Sequence, residues 1–272
     1  MLWVSYVKVL FWNTHKNRNI NHILAEIIVE NNASIVVLAE YIADVSDLIS
    51  MLSMSGIEMK QYICICPRIV MIGAIDNVEP RLDSDYATFQ IINGSDILCG
   101  IHLNSKLHSG HEGFREILIE QIIHDLRKIE QDIGSENSII VGDFNINPYD
   151  SSCIDARFFH SIPILEEAER KTRVVAGKEY SIFYNPMWNL LGDYSIPYGT
   201  YYCNSGEILN TYWNIFDQVI FKPALKSRFV KDSLKIISET SVRFLLDGKG
   251  HPDKEISDHL PIIFEITEDI SL

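Results

Sequence analysis

Basic residues are scarce in this 272-residue sequence, since 23 lysines and arginines stand against 37 aspartates and glutamates and give a formal net charge of −14. Proteins that hold polyanions by neutralising phosphates usually carry a basic excess, so this composition argues against a general polyanion binder. It does not exclude a nuclease, because a bound metal ion and a few local cations can attract phosphate on an otherwise acidic surface.

Cysteines and long apolar runs are also few. The five cysteines are odd in number, and four of them lie in apolar or aromatic runs, which predicts buried, reduced thiols rather than a disulfide framework. No stretch approaches the roughly 18 apolar residues of a membrane span. The apolar residues 2–12 lack the charged region and the cleavage site of an export signal. We therefore expect a mature, cytoplasmic protein without a membrane anchor.

The remaining composition, 47% hydrophobic and 22% charged, is typical of a globular chain. Apolar periodicity predicts helices at 20–28, 45–55 and 114–133, and strands at 2–12, 35–39, 62–66, 69–74, 87–92, 97–103, 138–141, 216–221, 234–238 and 261–266. Asn19 or Asn21 is expected to cap the first helix, and Gly134 to end the third. The close spacing of the strands between residues 62 and 103 favours antiparallel pairing. Because no repeat or flexible linker occurs, we expect one α+β domain over residues 1–272.

The strand at 138–141 runs into Gly142 and is followed at once by Asp143 and Asn145. Because side chains alternate along a strand, Asp143 and Asn145 are expected on the same side of its end, directed at one ligand. A carboxylate can bind a hard cation or accept a proton from water, and an amide can orient that water or donate to a phosphoryl oxygen. The residues are also typical of a plain turn, and the segment alone favours the turn.

A second polar group lies just before the strand at 261–266. Asp258 and His259 stand side by side at the start of this strand. Such a pair can hold a metal ion together with a phosphate or a water, or it can simply cap the strand with a surface histidine. The segment alone favours neither interpretation.

Four more polar residues lie at the ends of apolar strands or inside one. Glu40 and Asn13 each follow a strand, and His102 lies near the end of another. Many strands end in solvated residues, so each of these is weak evidence by itself. Asp217 lies within a mostly apolar run, where a carboxylate needs a partner to stay charged, and a histidine is the natural candidate.

Taken in chain order, these residues resemble the endonuclease/exonuclease/phosphatase superfamily, which contains deoxyribonuclease I, abasic-site endonucleases, inositol polyphosphate 5-phosphatases and neutral sphingomyelinases. The resemblance runs from Trp12 to about Ile266, and its most specific parts are residues 142–145 (Gly-Asp-Phe-Asn) and 257–261 (Ser-Asp-His-Leu-Pro). It implies a four-layered α/β sandwich in which two mixed, mostly antiparallel sheets pack face to face and are flanked by helices. The active site would lie at one end of the strands.

The resemblance also implies a metal site and a water-activating pair. Glu40 would be the principal ligand of Mg²⁺ or Mn²⁺, with Asn13 and Asp258 contributing nearby. Asp143 and Asn145 would position the attacking water and contact the phosphate. A magnesium ion held by one or two carboxylates keeps positions open for water and phosphate oxygens, so in-line attack by an activated water needs no covalent intermediate.

The other implied roles belong to histidines and their neighbours. Asp217 would orient His259, which would act as general base or as a phosphate-binding cation. His102 would lie on the leaving-group or phosphate side, with Asn104 as a substrate contact close to it.

Fewer residues indicate which substrate class the protein acts on. His102, where abasic-site enzymes carry a tyrosine, favours the deoxyribonuclease, phosphatase and sphingomyelinase side of the superfamily. Residues 183–189 and 213–218 resemble a bacterial cytosolic branch, in which Asn185 or Asn189 could reach the phosphate from a loop.

Ten aromatic residues between Tyr180 and Trp213 form an aromatic cluster whose rings could stack on the bases of a frayed or single strand, or could pack against the second sheet. No lysine or arginine occurs between Glu179 and Phe221, which weakens the case for a nucleic-acid groove there. The leading hypothesis is a Mg²⁺- or Mn²⁺-dependent phosphodiesterase that acts on nucleic acid, DNA rather than RNA, as an endonuclease. The alternatives are a phosphomonoesterase or lipid phosphodiesterase, and a protein that binds a phosphate ligand or a partner without hydrolysis.

Overall fold

The computed structural model describes residues 6–105, 113–206, 208 and 210–268. Its helices are α1 (Asn21–Asn31), α2 (Val45–Met54), α3 (Phe114–Ile133), α4 (Ser151–Ile154) and α5 (Leu165–Ala168), with 3₁₀ turns at Pro186–Leu190 and Pro223–Leu225. The end of α3 was predicted correctly, because Gly134 takes a left-handed conformation (φ 69°) that favours glycine. The predicted cap of α1 is wrong. Its N-cap is Ile20, and Asn21 instead donates to the carbonyl of Asp44 at the start of α2.

The strands make two large sheets and two small ribbons. In chain order they are β1 (Tyr6–Asn13), β2 (Ile35–Ala39), β3 (Lys60–Gln61), β4 (Ile69–Gly73), β5 (Val78–Asp83), β6 (Ala87–Ile92), β7 (Asp96–His102), β8 (Asn137–Asp143), β9 (Ser161–Ile162), β10 (Thr172–Val175), β11 (Lys178–Ser181), β12 (Phe183–Tyr184), β13 (Tyr201–Tyr202), β14 (Trp213–Asn214), β15 (Asp217–Phe221), β16 (Phe229–Ile236) and β17 (Ile262–Thr267). The first sheet has the order β16-β17-β1-β2-β4-β3, the second β5-β6-β7-β8-β15-β12-β9, and the ribbons are β10-β11 and β13-β14. Three neighbouring pairs are parallel, β1-β2, β7-β8 and β9-β12, and the other pairs are antiparallel.

The two sheets pack face to face, with β1 and β2 of the first against β8 of the second. Alternation along β8 places Ile139 and Val141 in the core that includes the first sheet, α1 and α2, while Ile140 joins a second core with α3. Helices thus cover the outer face of each sheet. The expected α+β architecture, a four-layered sandwich of mixed, mostly antiparallel sheets, is confirmed.

The segment at 62–66 does not form the predicted strand. Within 62–66, only Tyr62 continues the ladder, since its N–H donates to the carbonyl of Met71 in β4. Beyond it side chains provide the partners: Gln90 donates to the carbonyl of Ile63, and the N–H of Ile65 donates to Asp83. Both isoleucines are exposed. The predicted antiparallel pairing holds for β6 and β7, whereas β4 joins the other sheet beside β2.

No helix in the described ranges is both long enough and apolar enough to cross a membrane. All five cysteines are free thiols, as expected. Three of them, Cys66, Cys99 and Cys153, are buried, one fewer than the sequence predicted, and Cys64 and Cys203 are half-buried.

Candidate active site

The second sheet aligns three of the predicted residues in one row. Parallel pairing of β7 with β8 places His102 beside Asp143, and antiparallel pairing of β8 with β15 places Asp143 beside Asp217. Gly142 permits this close approach, because a Cβ at that position would lie 2.0 Å from the carbonyl oxygen of Ile101 in β7. The row therefore depends on the glycine that precedes Asp143.

The first sheet contributes Asn13 and Glu40 through the parallel ends of β1 and β2. Asn13 pairs with Ala39, so Glu40 is the next residue beyond the sheet. Glu40 has a left-handed backbone (φ 50°), which is uncommon for a residue with a side chain. Its carbonyl accepts from the hydroxyl of Thr14 and from the N–H of Lys16, both at 3.1 Å, and these bonds hold the unusual conformation.

Asp258 and His259 are held against the end of β1. The indole N–H of Trp12 donates to the carbonyl of His259 at 2.8 Å, and the hydroxyl of Ser257 donates to the carbonyl of Asn13 at 2.7 Å. The residues before β17 thus lie at the strand ends where Asn13 and Glu40 emerge.

The carboxylate of Asp143 is almost fully buried and is oriented by two amides. Asn13 donates to Oδ2 at 3.0 Å. Asn145 donates to Oδ1 from its backbone N–H at 2.8 Å and to Oδ2 from its side chain at 3.0 Å, and the same side chain also donates to the carbonyl of Leu103. The sequence argument that placed Asp143 and Asn145 together is therefore matched by direct contact between them.

Asp217 and His259 form a buried pair. The Nδ1 atom of His259 lies 2.8 Å from Oδ2 of Asp217, and the ring's Nε2 lies 4.0 Å from Oδ2 of Asp143. Tyr201 packs against the imidazole with 4.8 Å between ring centroids, and the hydroxyl of Thr200 accepts from the N–H of Asp217. The partner that an acid within this apolar run requires is thus the predicted histidine.

His102 lies between Glu40, at the end of the first sheet, and Asp143, at the end of β8 in the second. Its Nε2 is 3.6 Å from Oε1 of Glu40 and 3.6 Å from Oδ2 of Asp143. Its Nδ1 is buried and has no hydrogen-bond partner among the described residues. Burial, with the nearby positive charges of Arg68 and His259, lowers the pKa of His102 to about 3, so the ring is neutral at pH 7.

The pKa values of both buried groups, Asp143 and His259, are raised, for different reasons. Burial raises the pKa of Asp143 to about 7, although the charge of His259 opposes the rise. Burial disfavours the charged form of His259, but the carboxylates of Asp217, Asp143 and Asp258 outweigh it and raise the pKa of the ring to about 10. Near neutral pH the site therefore combines an imidazolium with a carboxylate able to accept a proton.

The donor set fits a hard divalent cation. Glu40, Asp258 and Asn13 offer oxygen atoms, the donor type that Mg²⁺ and Mn²⁺ prefer. The amide oxygen of Asn13 already accepts one bond, from the backbone N–H of His15 at 3.0 Å, and would offer its second lone pair. The buried Oδ1 of Asp258 lies 3.0 Å from Nδ1 of His15 yet has no hydrogen bond of normal geometry, so its lone pairs remain available. Asp143, Asp217 and His259 also offer ligand atoms within 4.8 Å of one another, but Asp217 and His259 already bind each other, which favours the first set.

The three residues predicted to contact the substrate, Asn104, Asn185 and Asn189, make their described side-chain hydrogen bonds to residues outside the site. Asn104 donates to the hydroxyl of Tyr86, and the exposed Asn189 donates to the carbonyl of Pro186, so their substrate roles stay predictions. Asn185 requires a correction. It is fully buried, donates to Gln218 and accepts from the N–H of the residue two positions on, so its amide supports the 3₁₀ turn and is not free to reach a phosphate from a loop.

Three residues at the site did not stand out in the sequence, and a fourth, Tyr201, stood out only as one member of the aromatic cluster. His15 and Lys16 follow β1 directly and lie near Asp258 and Glu40, with Lys16 Nζ 3.8 Å from the Glu40 carboxylate. Arg68, whose charge acts on His102, stacks its guanidinium 4.4 Å above the ring of Tyr86. Position after a strand end was the available signal for His15 and Lys16, whereas Arg68 and Tyr201 come from loops and a short ribbon with no distinctive pattern.

Comparison with known proteins identifies the fold. No protein-family model and no curated protein matches the sequence. Solved structures match over almost the whole chain: a 3′ phosphatase from Neisseria bound to a product DNA hairpin (14% identity, 96% of this chain and 99% of that one, TM-score 0.56), an AP endonuclease from Archaeoglobus fulgidus (13%, 95% and 98%, 0.54) and an endonuclease/exonuclease/phosphatase family protein from Bacteroides thetaiotaomicron (12%, 99% and 98%, 0.57). The chain therefore has the fold of the endonuclease/exonuclease/phosphatase proteins, as the sequence resemblance implied.

Proposed function

We propose that this protein is a divalent-metal-dependent phosphodiester hydrolase that acts on nucleic acid, with DNA preferred to RNA. The observation that carries the proposal is the buried Asp217–His259 pair, whose second ring nitrogen faces Asp143 at the strand ends where Glu40 and Asp258 also lie. Similarly folded structures described as an AP endonuclease and as a phosphatase bound to a DNA hairpin support nucleic acid as the substrate class.

The charges of the described residues favour one division of roles. His259 carries a positive charge near neutral pH because its pKa is raised, so it suits binding a phosphoryl oxygen and stabilising charge in the transition state. Asp143, with its pKa raised to about 7, suits accepting the proton of the attacking water. Asn13 and Asn145 fix the direction of that carboxylate.

Glu40, Asp258 and Asn13 would hold Mg²⁺ or Mn²⁺. When bound, the ion would polarise the phosphoryl group and stabilise the leaving oxyanion. Lys16 and Arg68 would add positive charge on the side of Glu40 and His102, where a polyanionic substrate must approach an otherwise acidic protein.

Removal of a terminal phosphate is the second candidate function. The fold neighbour from Neisseria is described as a 3′ phosphatase, and the same acid, histidine and metal ligands would serve a phosphomonoester. Attack on a monoester releases inorganic phosphate, whereas attack on a diester shortens or nicks the strand, so the products separate the two functions.

The test is a substrate panel incubated with Mg²⁺ or Mn²⁺: supercoiled plasmid, a linear oligonucleotide with a 3′ phosphate, inositol phosphates and sphingomyelin. We expect cleavage of DNA that EDTA and Asp143→Ala abolish and that Glu120→Ala, which removes an exposed carboxylate of α3, leaves intact. Release of phosphate from the oligonucleotide without strand cleavage would favour the phosphatase. Hydrolysis confined to inositol phosphates or sphingomyelin would contradict the proposed substrate class.

A further inference from the structure

A pocket of about 440 Å³ opens beside the candidate active site. Two of its lining residues belong to the site as well. Asp258 lies 4.0 Å from Nε2 of His259, and the ring of Tyr201 packs on the imidazole of the same histidine. A substrate whose phosphate lies at His259 would therefore place a neighbouring group at the pocket.

Two of the lining residues, Tyr202 and His251, form a stack of rings at the wall of the pocket, and Trp213 and Tyr212 contact Tyr202 from outside the lining. Tyr202 lies face to face with His251, with 3.6 Å between centroids and 9° between planes. Trp213 meets Tyr202 edge-on at 5.5 Å, and Tyr212 lies roughly parallel to Tyr202 at 6.5 Å. The pairing of β13 with β14 fixes Tyr202 opposite Trp213, so the wall is held by backbone hydrogen bonds as well as by ring contacts.

The polar part of the lining is rich in acceptors. Asp247, Asp253 and Glu255 contribute carboxylates in addition to the candidate metal ligand Asp258, whereas Lys254 is the lysine among the lining residues. Such a surface disfavours a phosphate and suits a ring that carries N–H donors. The pocket therefore differs from the surroundings of Arg68 and Lys16.

Arg68 and the pocket lie at opposite ends of the row that His102, Asp143 and Asp217 form in the second sheet. Arg68 acts on His102 at one end, while the pocket adjoins His259, the partner of Asp217, at the other. A nucleotide chain can thus place its backbone charge near Arg68 and Lys16 and turn a base toward the stacked rings. The site thus has positive charge at one end and the pocket at the other, along the direction that a bound nucleic-acid strand would follow.

We infer that this pocket binds one unpaired nucleobase next to the scissile phosphate, so that the preferred substrate is single-stranded or locally unpaired nucleic acid. This inference rests on the proposed function. A planar base extends an existing stack, and the exocyclic amino groups of adenine, guanine and cytosine find carboxylate acceptors in the lining. A base inside a duplex is already paired and stacked, and reaching the pocket would cost its unstacking.

Binding tests the pocket without relying on turnover. Titration with deoxyadenosine 5′-monophosphate and with deoxyribose 5-phosphate, which lacks the base, should show tighter binding of the nucleotide by about five- to a hundredfold, the range for one stacked base. Tyr202→Leu should remove this difference and Tyr202→Phe should retain it. His251→Gln, which removes a ring without altering the ribbon, should also reduce it, while Tyr194→Leu, at a fully exposed ring outside the lining, should not.

Equal affinity for the two ligands, or a difference that Tyr202→Leu and His251→Gln leave unchanged, would overturn the inference. Hydrolysis then connects the pocket to the reaction: a single-stranded oligonucleotide should be cleaved faster than its duplex, and Tyr202→Leu should reduce that preference. If cleavage occurs but shows no such preference, the inference fails and the proposed function stands. If no phosphodiester is cleaved at all, the proposed function fails, and the titration still decides whether the pocket binds a base.

Discussion

Asp217 is fully buried, and the imidazole of His259 binds both of its carboxylate oxygens, at 2.8 and 3.1 Å. The carboxylate fixes the orientation of the ring and stabilises its charged form. Asp217 itself lies behind the histidine, so in the proposed function it would act on a substrate through His259.

Replacement of Asp217 with Asn should therefore lower turnover strongly while leaving the fold intact. An amide keeps the size of the side chain but removes the charge that raises the pKa of His259. We expect kcat to fall by about 10²- to 10⁴-fold, the usual range for loss of one acid–base group. Steady-state hydrolysis of an oligonucleotide measures the effect, with Glu120→Gln as the control for loss of a carboxylate. Unchanged kcat would show that the pair has no part in the reaction.

Glu40 should decide metal binding. Its carboxylate stands at the end of the first sheet, held by an unusual backbone conformation rather than by burial alone. Isothermal titration of the wild-type protein with Mg²⁺ should give a binding heat that Glu40→Ala abolishes and Glu120→Ala preserves. A binding heat that persists in Glu40→Ala would place the metal elsewhere, with the Asp143, Asp217 and His259 set as the next candidate.

Strand β8 and its neighbours show what alternation and strand ends can predict. Asp143, Asn145 and Glu40 stood out because each follows a predicted buried strand. Glu40 and Asp143 lie close together because β2 and β8, which belong to different sheets, pack against each other. The register that aligns His102 with Asp143 and Asp217 could not be predicted, because apolar periodicity specifies which face is buried but not which residues pair.

Other elements escaped prediction for identifiable reasons. Residues 62–66 have the apolar content of a strand, yet side chains of Gln90 and Asp83 take their hydrogen bonds. Asn185 lies in a segment rich in turn residues, where an amide that caps a 3₁₀ turn has the same local pattern as one that contacts a ligand. The stack of Tyr202 on His251 joins two segments far apart in the sequence, and no local pattern indicates it.

Gly142 should be indispensable to the β7–β8 pair. Alanine there would place its Cβ against the backbone of Ile101, which cannot move aside as a flexible side chain can. We expect Gly142→Ala to lower the free energy of unfolding by about 1–3 kcal/mol, as overpacking does, and to lower activity by displacing Asp143. Denaturant unfolding measures the loss. Gly248→Ala, at a position with open space, is the matched control, and equal stability of the two variants would contradict this role.

At the scale of the whole molecule, an ion pair joins the two sheets at the end remote from the site. Arg228, just before β16, makes two hydrogen bonds with Asp96 at the start of β7, at 2.7 and 2.6 Å, and both side chains are largely buried. The candidate site lies at the opposite end of β7, where His102 is the last residue. The ion pair that joins the sheets and the candidate site thus lie at opposite ends of β7.

Asp96→Ala should accordingly destabilise the protein without altering the reaction. Removing one member of a buried ion pair costs about 3–5 kcal/mol, because the other charge loses its compensating partner. Thermal or denaturant unfolding should show this loss, while kcat per folded molecule at low temperature should equal that of the wild type. A large fall in kcat under those conditions would mean that the far end of the sandwich also controls the site.

The net charge of −14 belongs to the whole chain, whereas Lys16 and Arg68 place positive charge near Glu40 and His102, and His259 places one beside Asp143. The central claim is that this local arrangement hydrolyses phosphodiesters with a metal ion. The most direct test is incubation of the purified protein with an end-labelled DNA, once as a single strand and once as a duplex, in Mg²⁺ or Mn²⁺. Cleavage that EDTA and Asp143→Ala both abolish, and that Glu120→Ala leaves intact, is the predicted result. The account would be contradicted by cleavage that continues in EDTA or in Asp143→Ala, or by both DNAs staying intact with both metals.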